Sequence, residues 1–265
     1  MLKFFEKIGA PVKSWIIIIV EFSILTYQTF YWIFRGSSRG KPINWSSVFS
    51  QMVFMGVHSL SIVFFVMLFT GIVLAMQSAS QLAKMGATIY VSSLVTISIF
   101  RELGPVLTAL VIAGRIGAAI TAEIGSMQVN EQIEALDVMA INPVRYLIVP
   151  KFIALLVMLP CLTIIGDAVG SFGGYVIGVY SLDINAPLYI QTAFKYLNMK
   201  DIYTGLSKPF VFAIIIAMVG AYQGMKTRGG AVGVGLATTI SVVTSFILII
   251  LADCVITGVF YFSGV

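Results

Sequence analysis

The sequence predicts an all-α integral membrane protein in which an amino-terminal interfacial helix precedes five membrane-spanning helices. Of its 265 residues, 59% are hydrophobic and only 10% are charged, and the mean hydropathy is +1.01. Such a chain cannot form a soluble surface, because it has too few polar side chains to cover one. Its length leaves room for about five or six spans of roughly 20 residues each. We therefore expect a single helical domain over residues 1–265.

The first segment, residues 1–45, is predicted to lie in the membrane interface. Its apolar part, residues 15–34, is long enough to span, but a polar residue recurs at seven-residue intervals, at Ser14, Glu21, Gln28 and Arg35. These four residues form one narrow polar stripe along a helix. The flanking basic residues are Lys3, Lys7, Lys13, Arg39 and Lys41. This pattern favours a helix among the lipid headgroups, and a sixth span packed through its polar stripe is the alternative.

Five clear spans follow, two within residues 48–126 and three within residues 152–262. They are expected at about residues 48–76, 89–113, 152–180, 205–222 and 236–262. Ten Lys and Arg residues fall on the side of the amino terminus, whereas four (Lys84, Lys195, Lys200 and Lys208) fall on the other. This bias places the amino terminus in the cytoplasm and Val265 outside. The outer segment is expected to hold a short surface helix at residues 185–196.

The second span carries charge and proline at a depth where both are unusual. Arg101 and Glu102 are adjacent, so they point to different sides of a helix and cannot simply pair with each other. Pro105 has no N–H and leaves the carbonyl of Arg101 without its helical partner, which predicts a bend. A charge at the bilayer centre costs about 2.5 to 3.5 kcal/mol. These three residues are therefore candidates for the wall of a substrate cavity, and ion pairs that pin helices together are the alternative.

Small residues continue this span in rows spaced by helical turns. One row comprises Gly114, Ala118, Ala122 and Ser126, and the other comprises Gly117, Thr121 and Gly125. Such rows let helix backbones approach closely, so they predict either a homodimer seam or packing within one chain. Arg115 and Glu123 lie two turns apart on one face. They are candidates for supporting the cytoplasmic end of the bundle.

An amphipathic segment, residues 127–150, separates the second and third spans. An acidic helix near residues 130–139 is followed by a turn that leads the chain back to the membrane. The candidate docking residues are Glu131, Glu134, Leu136, Asp137, Asn142, Pro143 and Arg145. Charged segments of this kind are often solvated loops. The pattern also suits docking in a groove of a soluble partner, with the acidic side chains fixing the orientation.

The sequence predicts no catalytic, metal or cofactor site. The single histidine, His58, has no second candidate metal ligand nearby, and Cys161 and Cys254 lie in apolar segments, as expected of small core residues. No GxxxxGK[ST] loop is present. The nearest string, residues 220–227, has an extra residue before its lysine and follows a membrane helix rather than a strand. The chain is therefore not expected to bind ATP itself.

Residues 101–150 resemble the signature region of the MlaE/YrbE-type permeases, the membrane subunits of ABC transporters that work with MCE proteins. The resemblance is carried by RELGP at residues 101–105, AGRIGAAITAEIG at residues 113–125 and EQIEALDVMAINPVRYLIVP at residues 131–150. It extends more loosely from the amino-terminal helix to the last span, and so covers nearly the whole chain.

This resemblance implies a homodimeric permease that transports lipid and has an interfacial helix and five spans. A cytoplasmic ABC ATPase is expected to grip the coupling helix, here residues 131–143, and an MCE-domain protein is expected to cap the outer side. The cavity of the family holds phospholipid, and Arg101 and Glu102 match the polar pair near it. The resemblance also allows a small regulatory subunit on the ATPase and implies no nucleic-acid partner. It places the protein in a bacterial inner membrane.

Two other classes of protein stay open on the sequence alone. A proton-coupled secondary transporter would use Glu102, Asp167 and Asp253 as a relay, although matched halves with broken helices are missing. A membrane-embedded lipid enzyme would need a nucleophile with a base or a metal cluster, and the chain has one histidine. Extracting acyl chains from a bilayer costs about 0.8 kcal/mol per CH₂, which favours a transporter driven by an external motor.

Overall fold

The computed structural model describes residues 2–34 and 44–262, with side chains from residue 17 onward in the first range. Within these ranges the chain folds into helices joined by short turns. The α-helices are α1 Leu2–Phe34, α2 Trp45–Met55, α3 Leu60–Ala83, α4 Val91–Ser98, α5 Gly104–Ile112, α6 Ala118–Val129, α7 Gln132–Val138, α8 Val149–Tyr180, α9 Ala186–Tyr196, α10 Met199–Met225 and α11 Gly230–Phe262. Six segments of the described chain are long and apolar enough to cross a membrane. The predicted all-α membrane protein is thus confirmed.

Several spans are built from more than one helix. The three π-helical turns, each of five residues, are Ile99–Leu103, Ala113–Gly117 and Val144–Ile148. The first of them joins α4 to α5 and ends directly before Gly104 and Pro105. Because a proline cannot donate the next helical hydrogen bond, the bend expected at Pro105 takes the form of a widened turn. This turn sets the direction of the Arg101 and Glu102 side chains.

Helix α8 lies at the centre of the bundle, and its most extensive contact is with α3. Gly71 of α3 lies directly against the carbonyl group of Gly170, so a Cβ atom on Gly71 would overlap that group. Gly173 lies in the same way against the carbonyl group of Leu68. Glycine at these positions lets the two backbones touch, which is how helices gain packing contacts in a membrane.

Helix α6 packs against α10 and α11 through one of its two rows of small residues. The Thr121 hydroxyl lies 2.8 Å from Ser241 Oγ of α11 and 3.1 Å from the carbonyl oxygen of Gly220 of α10. Gly125, in the same row, lies against Thr227. This row is therefore used within the chain. A homodimer seam along the other row stays a prediction.

Helix α1 contacts the ends of two spans that are predicted to face the cytoplasm. Tyr222, near the end of α10, donates a hydrogen bond to Glu21 Oε2 at 3.0 Å, and Lys226 pairs with the same carboxylate. Eleven residues later the Trp32 ring lies 5.7 Å from the Arg145 guanidinium, just before α8. Eleven helical residues cover about 16 Å, so α1 reaches from the end of α10 to the start of α8. It does not run alongside either helix through the bundle. These contacts favour the interfacial position.

Most of the other residues that predicted the interfacial position lie outside the part of the chain whose side chains the structure describes. They are Ser14 and Arg35 of the stripe and the basic residues Lys3, Lys7, Lys13, Arg39 and Lys41.

Lys208, counted among the basic residues of the outer side, lies inside α10 with only 2% of its side chain exposed, within the span expected at residues 205–222. Helix α10 begins at Met199, several residues before the predicted start of that span, because Asn198 and Asp201 form a capping box there. One predicted placement is wrong. Cys161 and Cys254 are exposed free thiols on the helix surface and not core residues. Their apolar context could not show this, because lipid tails are as apolar as a protein interior.

Candidate functional site

A polar cavity of about 290 Å³ opens at the amino-terminal end of α10 and the carboxyl-terminal end of α11, beside the first π-helical turn. Both predicted cavity residues with charged side chains, Arg101 and Glu102, lie in its wall. Pro105 does not line the cavity; it is buried behind the π-helical turn that carries the two charged residues. The other polar groups around the cavity come from Asn198, Lys200, Asp201, Thr204, Lys208 and Thr257.

Arg101 and Asp201 form the first ion pair of this cavity. Arg101 Nε donates to Asp201 Oδ1 at 2.6 Å, and Asp201 Oδ2 accepts from the backbone N–H of Asn198 at 3.0 Å. The same carboxylate therefore caps α10 and orients the guanidinium. Asp201 is buried, whereas 51% of the Arg101 side chain is exposed, so the cation is the partner that faces the cavity.

Lys208 forms the centre of a second charged cluster, which joins three helical segments. Its Nζ atom donates to Glu102 Oε2 at 2.5 Å and to Thr257 Oγ1 at 2.9 Å, and it lies 2.8 Å from Asp253 Oδ1. Thr257 Oγ1 in turn donates to Glu102 Oε1 at 2.9 Å. An ammonium group has three protons, and three acceptors surround this one. Adjacent Arg101 and Glu102 thus pair with different partners, as their positions on the helix require.

Asp167, the third carboxylate of the relay hypothesis, lies on α8 behind the same turn. Its Oδ1 atom lies against Gly104 and has no hydrogen-bond partner among the described residues. Glu102 and Asp253 both meet Lys208 instead. Glu102 and Asp253 therefore share one cation, whereas Asp167 Oδ1 has no hydrogen-bond partner among the described residues.

The predicted docking segment contains a seven-residue helix, α7, which begins after Glu131 in a left-handed backbone conformation with φ of 58°. Glu134 and Asp137 are exposed, whereas Leu136 is buried in the core. The most exposed large apolar side chains of the segment are instead Val138 and Met139, at 88% and 60% exposure.

The turn after α7 holds the last three predicted docking residues. Asn142 is exposed, and its Oδ1 accepts from the Arg145 backbone N–H at 3.1 Å. Pro143 is buried, so it shapes this turn and offers little surface to a partner.

Arg115, in the π-helical turn between α5 and α6, and Glu123, in α6, each contact another part of the bundle. Arg115 donates to Ser59 Oγ, and its guanidinium lies 5.8 Å from the centre of the Phe54 ring. Both carboxylate oxygens of Glu123 accept from Lys151 Nζ at 2.7 Å. These contacts link the second span to the first and third.

Sequence reasoning missed the cavity residues other than Arg101 and Glu102, among them Asp201, Lys208 and Thr257, which contact this pair. One signal for Asp201 was present, because Asn198 and Asp201 have the spacing of a capping box, which predicts a helix start at residue 199. Lys208 lies within the predicted span, where a charged residue is itself a signal of a polar site. Thr257 had no such signal, because a threonine in an apolar helix usually bonds to its own backbone.

A multi-pass helical protein with a charged cavity at one end and an exposed acidic helix at the other has the architecture of a transporter's membrane subunit. Residues 48–259 match the family described as Permease MlaE. The chain belongs to this family, as the resemblance in its central residues predicted.

Named relatives agree with this assignment. A probable ABC transporter permease protein of Rickettsia prowazekii is 41% identical over 90% of this chain and 92% of its own length. A protein of Synechocystis with the same description is 39% identical over 90% of this chain and 89% of its own length. The chloroplastic protein TRIGALACTOSYLDIACYLGLYCEROL 1 of Arabidopsis thaliana is 35% identical over 85% of this chain and 64% of its own length.

The chain is therefore the permease subunit of an ABC transporter. Such a subunit has no ATPase activity of its own, so it works with an ATPase partner.

Proposed function

We propose that this chain, as a homodimer, moves phospholipid between a bacterial inner membrane and an MCE-domain protein on the outer side. A cytoplasmic ABC ATPase, which can carry a small regulatory subunit, drives the movement by gripping α7 and the turn after it. The polar cavity is the observation that carries the proposal. It holds a half-exposed arginine and a lysine–carboxylate cluster among membrane helices that are mostly apolar.

The charges of this cavity suit a phosphate-bearing headgroup. A guanidinium binds phosphate oxygens in pairs, and Arg101 is half exposed while its carboxylate partner is buried. Lys208 is already surrounded by three acceptors, so it is better placed to position Glu102 than to bind cargo. The name of the plant relative contains the name of a glycolipid built on diacylglycerol. This supports a lipid as the substrate.

The acidic face of α7 supports docking of the ATPase. Glu134 and Asp137 are exposed beside Val138 and Met139, which gives one small surface both charge and apolar area. Such a surface fits a groove in a soluble partner, where acidic groups select the orientation.

The first experiment is to purify the protein from its native membrane and identify the proteins and lipids that accompany it. The complex is then reconstituted in liposomes, and transfer of a fluorescent phospholipid is followed with and without ATP. We expect an ATPase and an MCE protein to co-purify, and transfer to require ATP and to be insensitive to a protonophore.

The proton-coupled alternative gives the opposite result. Transfer that proceeds without ATP and collapses with a protonophore would overturn the proposal, and Glu102, Asp167 and Asp253 would then be the residues to neutralise.

A further inference from the structure

The polar cavity presents one accessible charge of each sign, and the partner of each is buried. About half of the Arg101 side chain is exposed, whereas its partner Asp201 is buried. The Glu102 side chain is 40% exposed, whereas Lys208, which pairs with it, is buried. A molecule that enters the cavity therefore meets a guanidinium from one residue and a carboxylate from the next.

Both accessible groups keep hydrogen-bonding capacity for a ligand. Arg101 uses Nε and Nη2 on Asp201, and a guanidinium has five N–H donors in all. One oxygen of Glu102 accepts from Lys208 and the other from Thr257, and an ionised carboxylate has about four lone-pair sites. The cavity can therefore hold an anionic group at Arg101 and an ammonium group at Glu102 while both ion pairs stay in place.

The charges at the cavity balance, but they are separated in space. Three cations and three carboxylates line it or pair with its lining: Arg101, Lys200, Lys208, Glu102, Asp201 and Asp253. Lys200 is exposed and lies next to Asp201 in the chain, so it adds positive charge on the side of Arg101. Lys208 serves two carboxylates, so the side of Glu102 has the excess of negative charge.

This separation favours a ligand that carries both charges. A headgroup with only a phosphate is attracted at one side of the cavity and repelled at the other. A zwitterionic headgroup finds a partner for each of its charges, which is the condition for electrostatic complementarity. Arg101 and Glu102 are neighbours in the chain, so a phosphate and an ammonium joined by a short carbon linker can reach both.

We propose that the cavity selects a zwitterionic phospholipid with a primary ammonium, as in phosphatidylethanolamine. Its phosphate binds Arg101 and Lys200, and its ammonium donates to Glu102. This inference rests on the proposed function, because it names the headgroup that the same cavity takes. A choline headgroup has the same charge but no N–H to donate, so it should bind less tightly.

The test measures binding to the purified full chain, so it needs neither the ATPase nor ATP. The detergent-solubilised protein is incubated with an equimolar mixture of phosphatidylethanolamine and phosphatidylglycerol that have identical acyl chains, and bound lipids are counted by native mass spectrometry. The wild-type protein should bind phosphatidylethanolamine in excess by about threefold or more, the effect of one partly exposed ion pair. In the same assay, phosphatidylcholine should fall between the two.

Two variants assign the selection to its residues. Glu102→Gln removes the accessible negative charge and should bring the ratio of bound lipids close to that of the mixture. Lys200→Met should weaken binding of both lipids by a similar factor, because both carry a phosphate. The matched control is Asp183→Asn, which neutralises an exposed carboxylate between α8 and α9, outside the cavity. Asparagine tolerates the left-handed backbone of this residue, with φ of 53°, so the control should keep the wild-type ratio.

The outcomes separate this inference from the proposed function. Equal binding of the two lipids by the wild-type protein, or a preference for phosphatidylglycerol, would overturn the headgroup selection and leave phospholipid transport standing. An unchanged ratio in Glu102→Gln would overturn the role of its carboxylate. A wild-type protein that binds no phospholipid would overturn both the selection and the proposed substrate. The wild-type ratio tests the proposal even where Glu102→Gln fails to fold.

Discussion

Lys208 shows how one buried cation can organise a charged cavity in a membrane. Its side chain is almost wholly buried, yet it contacts Glu102 from one span and Asp253 and Thr257 from another. A lone charge would be costly at this depth, so the lysine and the two carboxylates depend on each other. The cluster holds the π-helical turn, α10 and α11 in one arrangement.

Replacing Lys208 by methionine should therefore destabilise the folded protein. The substitution keeps the length of the side chain but leaves Glu102 and Asp253 without their shared cation. Because Glu102 is 40% exposed and Asp253 20% exposed, the loss should fall below the roughly 3 to 5 kcal/mol that breaking a fully buried pair costs. The apparent melting temperature of the detergent-solubilised protein, followed by size-exclusion chromatography after heating, should fall clearly.

The matched control is Lys200→Met, which removes an exposed lysine of the same cavity and should leave the melting temperature unchanged. The triple variant Lys208→Met, Glu102→Gln, Asp253→Asn removes all three charges and should recover most of the lost stability without restoring lipid transport. Equal melting temperatures for the wild type and Lys208→Met would show that the cluster does not stabilise the fold.

At the scale of a single element, α7 has a buried face that attaches it to the bundle and an exposed face that is available to a partner. Ile133 and Leu136 are buried and hold the helix on the bundle, while Glu134 and Asp137 project outward. Sequence periodicity predicted this helix but assigned Leu136 to the docking surface. A seven-residue helix cannot hold its shape alone, so its apolar side chains are needed for attachment.

Charge reversal on the exposed face should separate docking from folding. Glu134→Lys and Asp137→Lys place cations where an ATPase groove is expected to favour acidic groups, and like charges in an interface cost several kcal/mol. Each variant should lower recovery of the ATPase in affinity purification by about tenfold or more, with an unchanged elution volume of the permease itself. Lys84→Glu, an exposed reversal on the outer side, should change neither measurement. Normal ATPase recovery and lipid transport in both α7 variants would remove the coupling role from this face.

At the scale of the whole molecule, sequence reasoning predicted the helices better than the contacts between them. Hydropathy located all five clear spans, and the helix near residues 185–196 appears as α9. The partners of Arg101 and Glu102 could not be predicted, because they lie 100 to 155 residues further along the chain. Apolar periodicity is also weak in a membrane, where the lipid-facing and protein-facing sides of a helix are similarly apolar. This is why the exposure of Cys161 and Cys254 was missed.

Helix α11 packs at the edge of the single chain and leaves one apolar stripe uncovered. Ser241, Ser245 and Ile249 face α10 and α6 and are buried. The stripe on the opposite side consists of Leu236, Ile240, Val243 and Ile247, all of which are exposed. Their alternating spacing of four and three residues is that of a helix–helix seam. We therefore expect α11 of one protomer to meet α11 of its partner along this stripe.

Disulfide trapping in native membranes tests this seam. In a background with Cys161→Ser and Cys254→Ser, cysteine is placed singly at each of the four stripe positions, and oxidation with copper phenanthroline is followed on non-reducing gels. A disulfide forms only when the Cα atoms of the two cysteines, one in each protomer, approach within about 7 Å. At least one of the four stripe positions should therefore give a covalent dimer, and any further position that does so should lie one or two helical turns from it. Ile164→Cys, exposed on α8 away from the stripe, is the control for random collisions and should give none. If the control forms dimers as readily as the stripe, or if the stripe forms none, α11 does not form the seam and the protomers of a dimer must meet through another surface. The row of Gly114, Ala118, Ala122 and Ser126 would be the next surface to test.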